Sequence, residues 1–145
     1  FLNKIEARDQ GFYKNLDQPL DQINDFAAKA DFEHIVVCGI GGSALGTICL
    51  QQSLNHLFEA YLPKGKQKLY VLDNIDPGML AQIEDVIDYS KTLFIIITKS
   101  GTTIETMSQY YYFRSKIEKK KLDIKKNFAF VTDPQKGQLR EIANK

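Results

Sequence analysis

The stretch from Thr92 to Thr106, TLFIIITKSGTTIET, sets the fold. Its first half is an apolar run without polar alternation, the pattern of a strand buried on both faces inside a parallel sheet. Its second half crowds hydroxyls around one glycine and then opens a helical pattern, so the unit is a strand, a tight turn and a helix. An upstream stretch has the same form. His34 to Cys38 is a short apolar strand, Gly39-Ile40-Gly41-Gly42-Ser43-Ala44-Leu45-Gly46 is the turn, and a helix is expected from about Ser43 to Phe58.

Working outward, the same alternation fills the chain. Lys68–Leu72 is a further strand, followed by Asp76-Pro77 as N-cap and first helical residue, with Leu80, Ile83 and Ile87 along one face. The helix after Thr102 is expected to turn Ile104, Met107, Tyr111 and Ile117 inward, and the one after Ser43 to turn Leu45, Ile48, Cys49 and Leu57 inward. Asn127–Thr132 is a fourth strand, and Asp133-Pro134 is expected to cap a last helix holding Leu139 and Ile142. Ahead of all this, Leu20, Ile23, Phe26, Ala27 and Ala30 recur at helical spacing behind Asp17 and Pro19. Strict β-α alternation predicts an α/β fold, a three-layer α-β-α sandwich on a mainly parallel, flavodoxin-like sheet. Four strands are present, and a fifth is due where the chain stops. The expected organisation is one domain over 1–145, truncated at its C-terminal end, with 1–32 as a helical lead-in.

Composition narrows the function classes. The 145 residues are 43% apolar and 26% charged, ordinary for one globular domain, and the formal net charge of +1 recruits neither nucleic acid nor an acidic membrane surface. The cluster Glu118–Lys121 with Lys125 and Lys126 is expected to be a solvated helix end. Cys38 and Cys49 are expected to be buried free thiols in a reducing compartment. No stretch approaches the roughly 18 apolar residues of a membrane span. A start at Phe1 suggests a piece of a longer chain.

Two turns carry chemistry. In the first, glycines permit a sharp bend and close approach to a ligand, the free amides of a helix start suit an anion, and Ser43 is expected to supply an N-cap hydroxyl. In the second, Thr98-Lys99-Ser100-Gly101-Thr102-Thr103 holds more hydroxyls than capping needs, and the surplus suits the oxygens of a phosphate. In a strand order of 2-1-3-4-5 the two turns follow neighbouring strands whose connections leave in opposite directions, and such a switch point is where ligands bind. A dinucleotide is the rival reading. Gly39-x-Gly41-x-x-Ala44 fits its fingerprint, but Asp73 lies well past the roughly 20 positions expected for the ribose-binding acid.

Together, Gly39-Ile40-Gly41-Gly42-Ser43-x-Leu45-Gly46 and Thr98-Lys99-Ser100-Gly101-Thr102-Thr103-x-Glu105-Thr106 resemble the glucose-6-phosphate isomerases of the shorter bacterial type. Nearly the whole chain is similar to the amino-terminal sugar isomerase (SIS) domain of that family. The resemblance implies that Thr98, Ser100, Thr102 and Thr103, with the backbone of Lys99 and Gly101, bind the substrate phosphate, and that Gly42 and Ser43 line the sugar's side. It implies that Glu105 supports a ring-opening histidine from later in the chain. Thr98 stands where the family more often has serine, which keeps the hydroxyl.

Further implications are interconversion of glucose 6-phosphate and fructose 6-phosphate through a cis-enediol, with no cofactor and no metal, in a cytoplasmic homodimer serving glycolysis and gluconeogenesis. The main base would lie beyond residue 145, leaving the piece able to bind but not turn over. His34 and His56 are expected to be structural. A non-catalytic SIS sugar-phosphate sensor is the alternative from another class; no basic recognition helix stands in residues 1–32 to support it.

Overall fold

Apolar runs of four to six residues build the sheet. In the computed structural model, which describes residues 20–54 and 67–145, the strands are β1 (His34–Cys38), β2 (Lys68–Leu72), β3 (Thr92–Ile97) and β4 (Phe128–Val131). They pair in parallel in the order β2-β1-β3-β4. The two central strands hold most of the buried strand residues, and β2 and β4 border only one neighbour each among the described residues.

The chain divides into two compact units, residues 1–31 and 32–145. In the first, α1 (Asp21–Lys29) has no buried residue, and Ile23 and Phe26 are exposed; Asp17 and Pro19 lie outside the described residues. In the second, α2 (Gly42–Leu54), α3 (Pro77–Glu84), α4 (Ile104–Lys119), a short α5 (Ile124–Asn127) and α6 (Gln138–Ala143) alternate with the strands. The main core lies on the side of α3 and α4. Val36, Cys38, Phe94, Ile96 and Phe128 from the sheet pack there against Ile83, Met107, Tyr110, Phe113 and Ile117. Phe94 stacks on Phe113 and Phe128 with ring centroids 4.5 and 5.3 Å apart.

Buried amides tie elements that are distant in sequence. Gln109 Nε2 in α4 donates to the carbonyls of Leu72 (3.0 Å) and Asn74 (2.8 Å) at the end of β2. Asn127 Nδ2 donates to the carbonyls of Tyr89 and Thr92, both at 2.8 Å, joining the start of β4 to that of β3. Between α3 and α4, Glu84 accepts from Tyr89 Oη at 2.5 Å and pairs with Lys116 Nζ at 2.8 Å. Those bonds hold the Glu84 carboxyl below its usual range against the opposing effect of its burial.

Several inward faces differ from the sequence expectation. In α2, Leu45 and Cys49 point outward, and the sheet side carries Ala44, Thr47, Ile48 and Gln51. The helix is apolar nearly all round, so periodicity cannot choose its face; close approach to β1 and β2 favours small Ala44, and Gln51 Nε2 donates to Leu69 O at 2.6 Å. Cys49 is therefore exposed, unlike Cys38, whose thiol pKa is pushed up by complete burial. His56, Leu57 and Phe58 fall outside the described residues. In α4, Ile104 is 76% exposed because it is the first helical residue, ahead of the core stripe, and Tyr111 is 44% exposed with its hydroxyl accepting from Gln138. Ile87 lies past the end of α3 but still packs on the core.

Asp76 caps α3 as expected, accepting the Met79 amide at 2.9 Å. Asp133 does not cap α6. Its carboxylate accepts the amides of Gln135 and Lys136 in the preceding turn, and α6 starts only after Gly137. The charged cluster Glu118–Lys121 stands at the end of α4, and its residues are exposed.

Candidate functional site

Parallel pairing of β1 with β3 brings Cys38 opposite Ile96, so the two chemistry-bearing turns leave the same edge of the sheet side by side. The first begins as Gly39 N–H donates to Leu72 O at 3.2 Å. Gly41 then adopts φ 56°, a left-handed conformation that glycine takes at little cost, and α2 starts at Gly42. Ser43 is consequently inside the first turn of the helix and not at its cap. Gly42 is exposed and Ser43 half-buried.

The second turn is held where Thr98 N–H donates to Val131 O at 3.1 Å. Its hydroxyls converge. Thr98 Oγ1 lies 2.8 Å from Thr103 Oγ1 and 3.4 Å from Ser100 Oγ, and Ser100 Oγ lies 3.5 Å from Thr103 Oγ1. Ser100 Oγ also accepts from the Thr102 amide and the Thr102 hydroxyl, both at 3.2 Å. Thr103 is the N-cap of α4 yet makes no side-chain cap bond, so the first-turn amides of a 16-residue helix keep their donors without an intrahelical acceptor. Thr98 is 2% exposed at the base of the cluster, whereas Ser100 and Thr102 are exposed at its mouth.

Around this cluster, Gly101 is buried with φ 69°, and Lys99 and Glu105 are exposed beside the hydroxyls. The arrangement offers convergent neutral donors, a helix start and one nearby cation, a set suited to a dianion with several oxygens. One carboxylate, Glu105, stands near it, and a single carboxylate does not form an acid–base pair. Among the described residues no group of three or more His, Cys, Asp or Glu side chains could hold a metal. No described helix is long and apolar enough to cross a membrane.

Two contributors were not anticipated. Gln109 anchors the backbone after β2, and Gly137, in the turn after β4, meets Gly101 backbone to backbone. The signal for Gly137 was present as a glycine shortly after a strand, but Asp133-Pro134 pointed to an ordinary helix cap instead. His34 opens β1 away from both turns, its ring stacked on Tyr70 with centroids 5.9 Å apart. Asp73 is exposed just past β2.

The phosphoglucose isomerase family model matches residues 14–141. The chain belongs to the phosphoglucose isomerase family. Within that family it is 40% identical to the glucose-6-phosphate isomerase of Carboxydothermus hydrogenoformans, over 97% of this chain and 32% of that protein. It is 39% identical to the Rubrobacter xylanophilus enzyme over 79% of this chain and 27% of that one. The chain thus spans about a third of the length of these relatives. A crystal structure of a glucose-6-phosphate isomerase from Chlamydia trachomatis aligns with a TM-score of 0.66 and 32% identity, covering 79% of this chain and 21% of that one. A hypothetical protein of Thermus thermophilus aligns with a TM-score of 0.72 and 30% identity over 86% of this chain and 29% of its own. The parallel α/β architecture is therefore shared with a solved glucose-6-phosphate isomerase.

Proposed function

We propose that this chain is the phosphate-anchoring part of a glucose-6-phosphate isomerase, which interconverts glucose 6-phosphate and fructose 6-phosphate. The observation that carries the reading is the hydroxyl cluster of Thr98, Ser100, Thr102 and Thr103 at the start of α4, in a chain of this family. In this reading those hydroxyls and the backbone of Lys99 and Gly101 receive the phosphate. Gly42 and Ser43 line the sugar's side of the crevice. Glu105, in the first turn of α4, supports the group that opens the sugar ring.

Anchoring the phosphate leaves the reacting carbons to residues outside the cluster. The enediol step moves a proton between C1 and C2, and the base for it belongs to segments beyond those described. Binding energy from the non-reacting phosphate then serves to orient the carbons against that base. The working protein is a cytoplasmic homodimer in this reading, needs no cofactor or metal, and acts on neither nucleic acid nor membrane.

Calorimetric titration with fructose 6-phosphate, inorganic phosphate and plain fructose tests the reading. Binding of the two phosphates and not of fructose is the expected result. If neither phosphate binds the protein expressed from its whole open reading frame, the reading is wrong. A parallel titration with a nicotinamide dinucleotide should show nothing; saturable binding there would revive the dinucleotide alternative.

A further inference from the structure

The turn between β4 and α6 is built by its own bonds before it reaches the hydroxyl cluster. The Asp133 carboxylate accepts the amides of Gln135 at 2.8 Å and Lys136 at 3.1 Å, and Arg140 Nε donates to Asp133 O at 3.0 Å. These bonds deliver Gly137 against Ser100 and Gly101. Beyond it, Leu139 N–H donates to Gly101 O at 3.0 Å, and the Leu139 side chain is completely buried.

Gly137 has φ 101° and ψ 151°, a region populated almost only by glycine. A Cβ there would lie 2.5 Å from the Ser100 carbonyl oxygen and 3.1 Å from Gly101 Cα, both backbone atoms. A Cβ on Gly101 would in turn lie 3.1 Å from Gly137 Cα. The two glycines therefore let two backbones meet without side chains between them. Ser100 is the hub of the cluster, since its Oγ faces the hydroxyls of Thr98, Thr102 and Thr103. Any shift of the Ser100 carbonyl carries that hub with it.

We propose that Gly137 is a positioning residue for the phosphate, holding the Ser100–Gly101 peptide, and through it the Ser100 hydroxyl, in the binding geometry. This inference rests on the phosphate-site reading above. Gly137 touches no ligand itself. Its effect passes through one backbone contact, from a turn more than thirty positions along the chain from the cluster.

The test compares wild type, Gly137→Ala, Arg140→Gln and Ile117→Val, each expressed from the whole open reading frame. Inorganic phosphate and fructose 6-phosphate are titrated calorimetrically, and thermal melts are recorded alongside. Ile117 is fully buried in the last turn of α4, away from the cluster, and serves as a purely destabilising control. Gly137→Ala should lose roughly tenfold or more in affinity for both ligands, as a displaced positioning group does. Arg140→Gln, which frees the turn without adding a Cβ at the contact, should lose less. Ile117→Val should keep wild-type affinity despite a lower melting temperature.

Wild-type affinity in a folded Gly137→Ala protein would overturn the inference while leaving the phosphate site intact. Equal affinity losses in Gly137→Ala and Ile117→Val would reduce Gly137 to a structural role and overturn it as well. If Gly137→Ala does not fold, Arg140→Gln decides, and unchanged affinity there counts against the proposal. Failure of wild type to bind either ligand removes the phosphate site and this inference with it.

Discussion

Thr103 stands at a helix start without capping it. It is the N-cap residue of α4, yet its hydroxyl bonds Thr98 at 2.8 Å and not the helix. Thr103→Val keeps the shape and removes that hydroxyl, so sugar-phosphate affinity should fall by about 1.5–3 kcal/mol, the worth of a charge-assisted hydrogen bond. An isothermal titration reads this directly, and unchanged affinity would remove Thr103 from the site. His34 supports a different prediction. Burial lowers its pKa, with Lys68 and Lys91 adding to the shift and Glu33 and Asp88 opposing it. The folded state thus favours neutral imidazole, so its contribution is complete above the ordinary value near 6.5 and declines as pH falls below it. Urea unfolding at pH 7.5 and 5.5 should show the loss, and His34→Phe, which keeps a ring on Tyr70, should shrink it.

At the scale of elements, the sheet depends on side chains that tie strand ends together. Asn127 donates to two carbonyls that flank the start of β3, and both the residue and its bonds are buried. Asn127→Leu removes two buried hydrogen bonds, each worth about 0.5–1.5 kcal/mol, although Tyr89 O keeps the Thr92 amide as a donor. Chemical denaturation should therefore show a loss of at least that size, with the slope against denaturant unchanged. A near-neutral variant would mean that water reaches those carbonyls. The strand boundaries were legible in the sequence to within a residue, because apolar runs are local, whereas the start of α6 was not, since Asp133 braces a turn ahead of it. Which face α2 buries was not legible either. With Leu45, Ile48, Cys49 and Leu50 all apolar, the choice fell to the size of Ala44 and the reach of Gln51, both set by the sheet beneath.

For the molecule as a whole, the carboxyl edge of the sheet gathers the glycine turn, the hydroxyl turn and the turn after β4. The described part of that crevice has the proposed phosphate-binding hydroxyls and one carboxylate. The 145-residue chain on its own should therefore bind fructose 6-phosphate without isomerising it. A coupled assay for glucose 6-phosphate checks this, and measurable turnover would require a base within the chain that has not been identified.

The sequence by itself determined the alternation of strands and helices, the parallel sheet and the two turns that matter, because hydrophobic period, glycine placement and hydroxyl surplus are properties of short segments. It also carried the family resemblance, which the comparisons support. Only the tertiary structure decided that Ser43 lies inside a helix, that Asp133 braces a turn, and that Gly137 closes on Gly101. Those outcomes depend on which backbones the sheet brings within contact distance, and no local pattern specifies a contact between residues so far apart along the chain.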